Sequence, residues 1–181
     1  MADPLSYSER VSIARLHALL EILPTALDQH LAPAGITSFE FTLLEALAES
    51  PDHYMRLTQL ARKTNATLPR LSRVVSSLEK KGLVERHTCP VDRRANNAFL
   101  TSAGEAKYES SKPLYAEATR KLILDSLEEL PYDGVEQLAQ LCLAMLRHID
   151  PQGQLAVTRG EAPGTSPCAA DPEPTCHADP A

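Results

Sequence analysis

Side chains that can bind phosphates and base edges are concentrated in one part of this sequence. Hydroxyl groups both donate and accept hydrogen bonds, and guanidinium groups present a fork of donors that matches a phosphate or a guanine edge. Both types recur on one predicted helix and on the loop that follows it. The residues predicted to contact double-stranded DNA are Thr67, Arg70, Ser72, Arg73 and Ser76 on the helix, with Arg93 and Arg94 on the loop.

The loop segment reads PVDRRANNAFLT from Pro90 to Thr101. An arginine at the tip of a hairpin can enter a narrow minor groove, where the negative potential of DNA is strongest. We assign this role to Arg94. Because phosphate repels a carboxylate, Asp92 is expected to pair with a neighbouring arginine and to fix the loop. The alternative is a solvated loop whose charges have no partner.

Charge is unevenly distributed along the chain. The net charge is -6 and the sequence pI is about 5.5, which by themselves disfavour nucleic acid as a partner. Residues 56–94, however, contain ten basic and three acidic side chains and carry +7, so the remainder carries -13. Such segregation creates a local positive field on an acidic protein, as phosphate binding requires.

Local signals predict two short helices joined by a turn within LTQLARKTNATLPRLSRVVSSLEKKGL. Thr58 is expected to cap the first helix, which ends at Lys63, and Asn65 suits the turn because asparagine tolerates a left-handed backbone. The second helix is expected from Pro69 to Lys81, because proline is accepted in a first helical turn. Gly82 ends it.

The spacing of small and apolar residues indicates how these helices pack. Ala61 is small where the two helices must cross, and Leu71 and Val74 anchor the second helix to the core. The pattern is typical of a helix-turn-helix, although a polar helix face without a ligand remains the alternative. Two short strands, Leu83 to Thr88 and Asn97 to Leu100, then predict a hairpin, which makes the unit a winged helix.

The flanking segments predict long amphipathic helices. Thr37 with Glu40 is a capping box before a helix that Ser50-Pro51 ends, and Thr101 caps a stretch from Ser102 to about Glu129. Pro24 is expected to kink or split the first helix of the chain, and Pro113 is expected to kink the helix that Thr101 caps. Another capping box, Ser6 with Glu9, begins the first helix, whose apolar seam is Ile13, Leu16, Leu20, Leu23, Leu27 and Leu31.

The last predicted helix begins at Asp133 and Glu136 and has an apolar face of Val135, Leu138, Leu141, Cys142, Met145 and Ile149. On this face Cys142 is expected to be a packed core thiol. Apolar faces at both ends exceed what one small domain needs, so pairing with a second copy is expected. The predicted organisation is 1–36 and 102–150 for dimerisation, 37–101 for DNA binding, and 151–181 as a proline-rich, acidic, disordered tail.

Composition narrows the setting. No apolar run is long enough to span a bilayer and the N-terminus lacks the pattern of a secretory signal, so no membrane and a cytoplasmic location are expected. The four cysteines are too scattered for a disulfide framework. The sequence also shows no residues at the spacings that are typical of catalytic or metal-binding sites. This predicts a protein that is not an enzyme and uses no cofactor or metal.

The segment from Thr37 to Gly104 resembles the multiple antibiotic resistance regulator (MarR) family. The resemblance is carried by ITSFEFTLLEALAES, LTQLARKT, LPRLSRVVSSLEKKGLVER and especially DRRANNAFLTSAG, similar to the family's wing signature. It implies a mainly α, homodimeric winged-helix transcription regulator, usually a repressor, whose terminal helices interlock. It also implies release from a pseudo-palindromic operator by a small, often phenolic or aromatic, effector.

Two alternatives stay open from the sequence. A winged helix can serve as a protein-interaction module without DNA, although exposed apolar residues would then be expected on its fourth helix. A redox-sensing regulator that uses Cys89 is the other. The peroxide-sensing members that this chain resembles carry a reactive cysteine in the first helix, and residues 1–88 contain none.

Overall fold

The computed structural model describes residues 4–88, 96–152 and 157 of the 181-residue chain. It is mainly helical, with a small antiparallel sheet, as the predicted winged helix requires. Among the described residues, none of the helices has the length and apolarity needed to cross a bilayer. The elements in chain order are α1 (Tyr7–Leu31), α2 (Ser38–Ala48), β1 (Tyr54–Arg56), α3 (Leu57–Lys63), α4 (Leu68–Lys80), β2 (Val84–Thr88), β3 (Asn96–Leu100), α5 (Ser102–Thr119), α6 (Asp125–Glu128) and α7 (Gly134–Ile149).

Most of the predicted helix starts are confirmed. Complete capping boxes begin α1 at Ser6 and α2 at Thr37, and the side chains of Thr101 and Asp133 cap α5 and α7. The prediction that Thr58 caps α3 is wrong. Strand β1 runs directly into α3, so the extended Arg56 is the capping residue, no side chain caps the helix, and Thr58 already lies inside it.

Neither internal proline breaks its helix. Helix α1 continues through Pro24 and α5 continues through Pro113, so the predicted split of the first helix is wrong. Both prolines are exposed to solvent, where water can bond to the carbonyl that loses its intrahelical partner. The irregularity instead lies beyond α5, where Arg120–Leu124 form a π-helical turn that leads into α6.

The sheet has three strands in the order β1-β3-β2, with both pairs antiparallel. The β2-β3 hairpin confirms the predicted wing strands. Strand β1 was not predicted, because three residues are too few to show an alternating pattern, yet Tyr54 pairs with Phe99 and Arg56 with Asn97. Only its middle residue, Met55, is buried.

The core lies between α2, α3, α4 and the sheet, and α5 packs across α1 and α2. Gly104 marks a close approach between α5 and the chain before β2. A Cβ at this position would lie 2.0 Å from the carbonyl oxygen of Leu83 and 2.7 Å from the side chain of Leu100. Glycine at the start of α5 therefore lets the helix pack against the wing strands.

The described residues leave the apolar face of α7 largely uncovered. Val135, Leu141, Met145 and Ile149 are all exposed, and so is Cys142. The prediction that Cys142 is a core thiol is therefore wrong for this chain. Helical periodicity located the apolar face correctly, but α7 packs against α6 rather than over the core.

Candidate nucleic-acid interface

Helices α3 and α4 form the predicted helix-turn-helix. Asn65 adopts the left-handed conformation, with φ 52°, and the backbone N–H of Ala66 donates to the carbonyl of Ala61 at 2.9 Å. Ala61 is buried where the helices meet, so a larger side chain there would push them apart. The turn thereby fixes the direction in which α4 leaves the core.

One face of α4 is anchored in the core and the other is free. Leu71, Val75 and Leu78 are fully buried, with Val74 partly buried against them. This packing leaves the start of the helix projecting from the domain. The predicted contact residues Thr67, Arg70 and Arg73 are exposed, whereas Ser72 and Ser76 are half-buried.

The two serines bind Arg86 of strand β2. The guanidinium donates to the main-chain carbonyl and hydroxyl of Ser72, and at 3.0 Å to the hydroxyl of Ser76. Its Nε lies 3.0 Å from a carboxylate oxygen of Glu79, although without the alignment of a hydrogen bond. Arg86 therefore ties the wing to α4. The sequence marked it only as one of ten cations, because no local pattern reveals its partners.

Arg70 is held by an aromatic ring. Its guanidinium carbon lies 4.4 Å from the centroid of Phe39, which belongs to the first turn of α2. The negative face of the ring attracts the cation. The contact restricts Arg70 before any ligand binds. It was not predicted, because Phe39 and Arg70 are far apart in the sequence and no local pattern connects them.

An ion pair between a buried carboxylate and an exposed lysine joins α2 to the end of α4. Glu40 accepts hydrogen bonds from Lys81 at 2.7 and 2.9 Å, from the Ser77 hydroxyl at 2.9 Å and from the Thr37 N–H at 2.9 Å. Burial raises the pKa of Glu40, but these hydrogen bonds and the charge of Lys81 outweigh burial, so its pKa lies below the usual value. The sequence identified Glu40 only as part of a helix cap.

These pairings reduce the positive charge without removing it. Lys63, Lys81 and Arg86 have acidic partners in Glu49, Glu40 and Glu79. Among the described residues of the basic segment, the cations without an acidic partner are Arg56, Arg62, Arg70, Arg73 and Lys80. Asp92, Arg93, Arg94 and Cys89 lie outside the described residues, so their assigned roles remain predictions.

Contacts also connect α1 to the helix-turn-helix. Asp28 accepts hydrogen bonds from the N–H and the hydroxyl of Ser38 at 2.7 and 2.6 Å. Two lysines donate hydrogen bonds to carbonyls of the short connection that follows α1. Lys107 of α5 binds the carbonyl of Ala34, and Lys81 binds the carbonyl of Gly35. Lys81, the residue that directly follows α4, therefore contacts both this connection and Glu40 of α2, so a shift of α1 can be passed to α4.

Aromatic side chains near these contacts are packed against one another. Phe41 stacks on Tyr115 with ring centroids 4.2 Å apart and lies 5.5 Å from Tyr108. Burial, followed by the charge of Glu45, raises the pKa of both tyrosines. No group of three or more histidine, cysteine or acidic side chains suited to a metal ion occurs within the described ranges.

Comparison with known proteins agrees with this geometry. The MarR family model matches residues 34–95, which include α2 to α4. The structure is similar to that of Sco3205, a MarR family transcriptional regulator from Streptomyces coelicolor, solved in complex with DNA. The sequences are 28% identical with a TM-score of 0.76, over 87% of this chain and 97% of that chain.

The chain resembles the MarR family of transcriptional regulators over most of its length. A second MarR family regulator from Streptomyces coelicolor, AbsC, is 28% identical, with a TM-score of 0.70, over 88% of this chain and all of AbsC. A mutant of MarR from E. coli complexed with operator DNA is 26% identical, with a TM-score of 0.63, over 79% of this chain and 99% of MarR. The similarity to MarR family structures extends well beyond residues 34–95, so it includes terminal helices as well as the helix-turn-helix.

Proposed function

We propose that this protein is a homodimeric, DNA-binding transcription regulator of the MarR family, acting in the cytoplasm as a repressor that a small effector releases. The observation that carries the proposal is the free face at the start of α4, where Thr67, Arg70 and Arg73 project from a firmly anchored helix. Similar MarR family structures have been solved with DNA. No observation on the described residues supports an enzymatic alternative.

The proposed contacts divide into two kinds. Arg70, held by Phe39 near the start of α4, is assigned to base edges, since residues at the start of a recognition helix enter the major groove. Arg73 is one turn further along and is assigned to phosphate or base. Arg94 at the wing tip is proposed to enter the minor groove, with Arg93 as a further DNA contact and Asp92 fixing the loop.

Ser72 and Ser76 have a narrower proposed role than the sequence indicated. Both hydroxyls accept from Arg86, so they hold the wing beside α4. Each hydroxyl retains a hydrogen that it can donate to a phosphate oxygen. We therefore propose that they contact the DNA backbone while bound to Arg86.

The homodimer is supported by the uncovered apolar faces at the two ends of the chain. Leu19, Leu20 and Ile22 on α1 are each more than half exposed, as is Leu141 on α7. Burying such side chains in a second copy would remove them from water. Two copies would then present two α4 helices to successive major grooves about 34 to 36 Å apart, which predicts a pseudo-palindromic operator.

Effector binding is proposed at the junction of α1, α2 and α5. Contacts through Asp28, Lys107 and Lys81 link this junction to the end of α4. A ligand that moves α1 against α2 would therefore change the spacing of the two α4 helices. Loss of operator binding on addition of small phenolic or aromatic acids, measured at constant salt, tests this part.

The protein-interaction alternative makes a different prediction about salt. A DNA-binding protein releases counterions from the duplex, so the logarithm of its affinity falls steeply and linearly with the logarithm of salt concentration. Binding to genomic fragments selected from the source DNA, measured between about 50 and 200 mM salt, tests this. Absence of binding at the low-salt end would contradict the proposal.

Two arginine variants test the interface itself. Arg73→Ala is expected to weaken operator binding and to reduce the salt slope by about one if it binds phosphate. Arg120→Ala, an equal charge change at an exposed position in the π-helical turn, is the control and should leave both quantities nearly unchanged. Equal effects of the two variants would show that net charge, rather than the α4 face, governs binding.

A further inference from the structure

Leu68 is exposed where a large apolar side chain is not expected. It retains 45% of its accessible surface. Of the large apolar residues that are exposed in the described part of the chain, Leu68 alone lies between residues 37 and 101. The others lie at the N-terminal end, in α1, or from Leu130 onward, and all but Val157 fall in the regions proposed for dimerisation.

The position of Leu68 places it at the tip of the recognition helix. It is the first residue of α4, directly after the exposed Thr67 and two residues before Arg70. Residues at the start of such a helix reach furthest into the major groove. The exposed Leu68, next to Thr67 and close to Arg70 along the helix, therefore lies at the part of α4 that is proposed to meet DNA.

Pro69 makes the start of α4 more suited to an apolar contact than to phosphate. Proline has no backbone N–H, so this terminus offers one donor fewer than an ordinary helix start. Pro69 is itself exposed and lies beside Leu68. The two side chains form a small apolar surface, and the cations Arg70 and Arg73 lie on the same helix two and five residues after Leu68.

We propose that Leu68 packs against the 5-methyl group of a thymine and thereby specifies one thymine in each half of the operator. The thymine methyl is the one apolar group that the four natural bases present in the major groove. The assignment rests on the proposed DNA-binding function. A protein partner would require a larger apolar surface than Leu68 and Pro69 provide.

Deoxyuridine substitution tests the contact directly, because it removes the methyl group and leaves base pairing intact. Duplexes are first selected from a random library with the wild-type protein, and each thymine of the resulting operator is then replaced singly. At one thymine in each half-site we expect the wild-type affinity to fall about fourfold, the effect of one methyl group leaving an apolar contact. Leu68→Ala should weaken binding to the thymine operator but be insensitive to that replacement.

A control variant separates this contact from general weakening. Arg73→Ala should bind less tightly yet keep the same sensitivity to deoxyuridine as the wild type. Because Leu68 is exposed, Leu68→Ala is expected to fold, which circular dichroism at equal concentration checks. If Leu68→Ala and the wild type respond alike to every thymine replacement, the assignment is overturned while the proposed function stands. If the wild type selects no duplex, both are overturned.

Discussion

The centre of this chain buries large apolar side chains, whereas its two ends leave many of them exposed. Around α2 to α4 and the sheet, leucines such as Leu44, Leu60 and Leu71 have no accessible surface at all. On α1 and α7, Leu20 and Leu141 retain 64% and 61% of theirs. The helical pattern is equally regular in both regions, so periodicity alone does not decide which face is covered.

The contrast indicates a division of labour. The centre buries its own core and holds α4 by ion pairs and hydrogen bonds, so it can present a fixed surface to a ligand. Within the described part of the chain the apolar faces of the two ends are largely uncovered, which supports the proposal that a second copy covers them. Experiments that weaken one region and spare the other test this division.

The largest effect is expected in the core. Leu44→Ala should lower the free energy of unfolding by about 3 kcal/mol, because it removes a fully buried side chain and leaves a cavity. Leu5→Ala, at an exposed position before α1, should change it by less than about 0.5 kcal/mol. Urea denaturation measures both, and similar losses would contradict the distinction between centre and end.

Loss of the ion pair between Glu40 and Lys81 is expected to have a somewhat smaller effect on stability. Glu40→Gln should cost about 2 kcal/mol at pH 7, because the buried side chain at position 40 loses its charge-assisted hydrogen bonds to Lys81. Since the pKa of Glu40 is lower in the folded protein, its contribution is present above the unfolded pKa of about 4.3 and is lost as pH falls through the folded pKa. The wild type and the variant should therefore converge in acid.

A matched surface pair provides the control for this prediction. Glu109 binds Lys112 at 2.8 Å with both side chains largely exposed, and such pairs contribute little. Glu109→Gln should cause a smaller loss than Glu40→Gln at pH 7 when both are measured by urea denaturation. A difference between wild type and Glu40→Gln that persists undiminished below pH 3 would argue against the ion pair as its cause.

A charge on the uncovered face of α7 should affect assembly rather than folding. Leu141→Asp is expected to raise the dimer dissociation constant at least about tenfold, equivalent to roughly 1.4 kcal/mol, because burying a carboxylate in an apolar interface is unfavourable. Sedimentation equilibrium measures this. Unchanged association would place the dimer interface elsewhere. Gln140→Asp, at the neighbouring position on the same helix, is the control for the added charge.

The smallest effect is expected for the ring beneath Arg70. Phe39→Leu keeps an apolar side chain but removes the cation-π contact, which contributes about 0.5 to 1 kcal/mol at such sites. Operator affinity should fall about two- to fivefold, with thermal stability nearly unchanged. In the Arg70→Ala background the same substitution should have no further effect on affinity. An additive loss would show that Phe39 does not act through Arg70.

The features that sequence predicted well depend on neighbouring residues. Helix caps at Thr37 and Thr101, the turn at Asn65 and the exposed Arg70 and Arg73 follow from local spacing and were confirmed. The side-chain contacts that hold the site were not predicted, because the residues that form them are far apart in the sequence. Glu40 and Lys81, for example, are 41 positions apart. Cys142 was misplaced for a related reason, since the periodicity of α7 identifies its apolar face but not what covers it.

The stoichiometry of the protein on its selected operator tests the central claim most directly. Sedimentation velocity with labelled duplex should find two chains on each operator, at an affinity that falls steeply as salt rises. Shortening the duplex to one half-site should reduce the affinity sharply. One chain per operator, or an affinity indifferent to salt, would contradict a dimer that presents two cationic α4 helices to DNA.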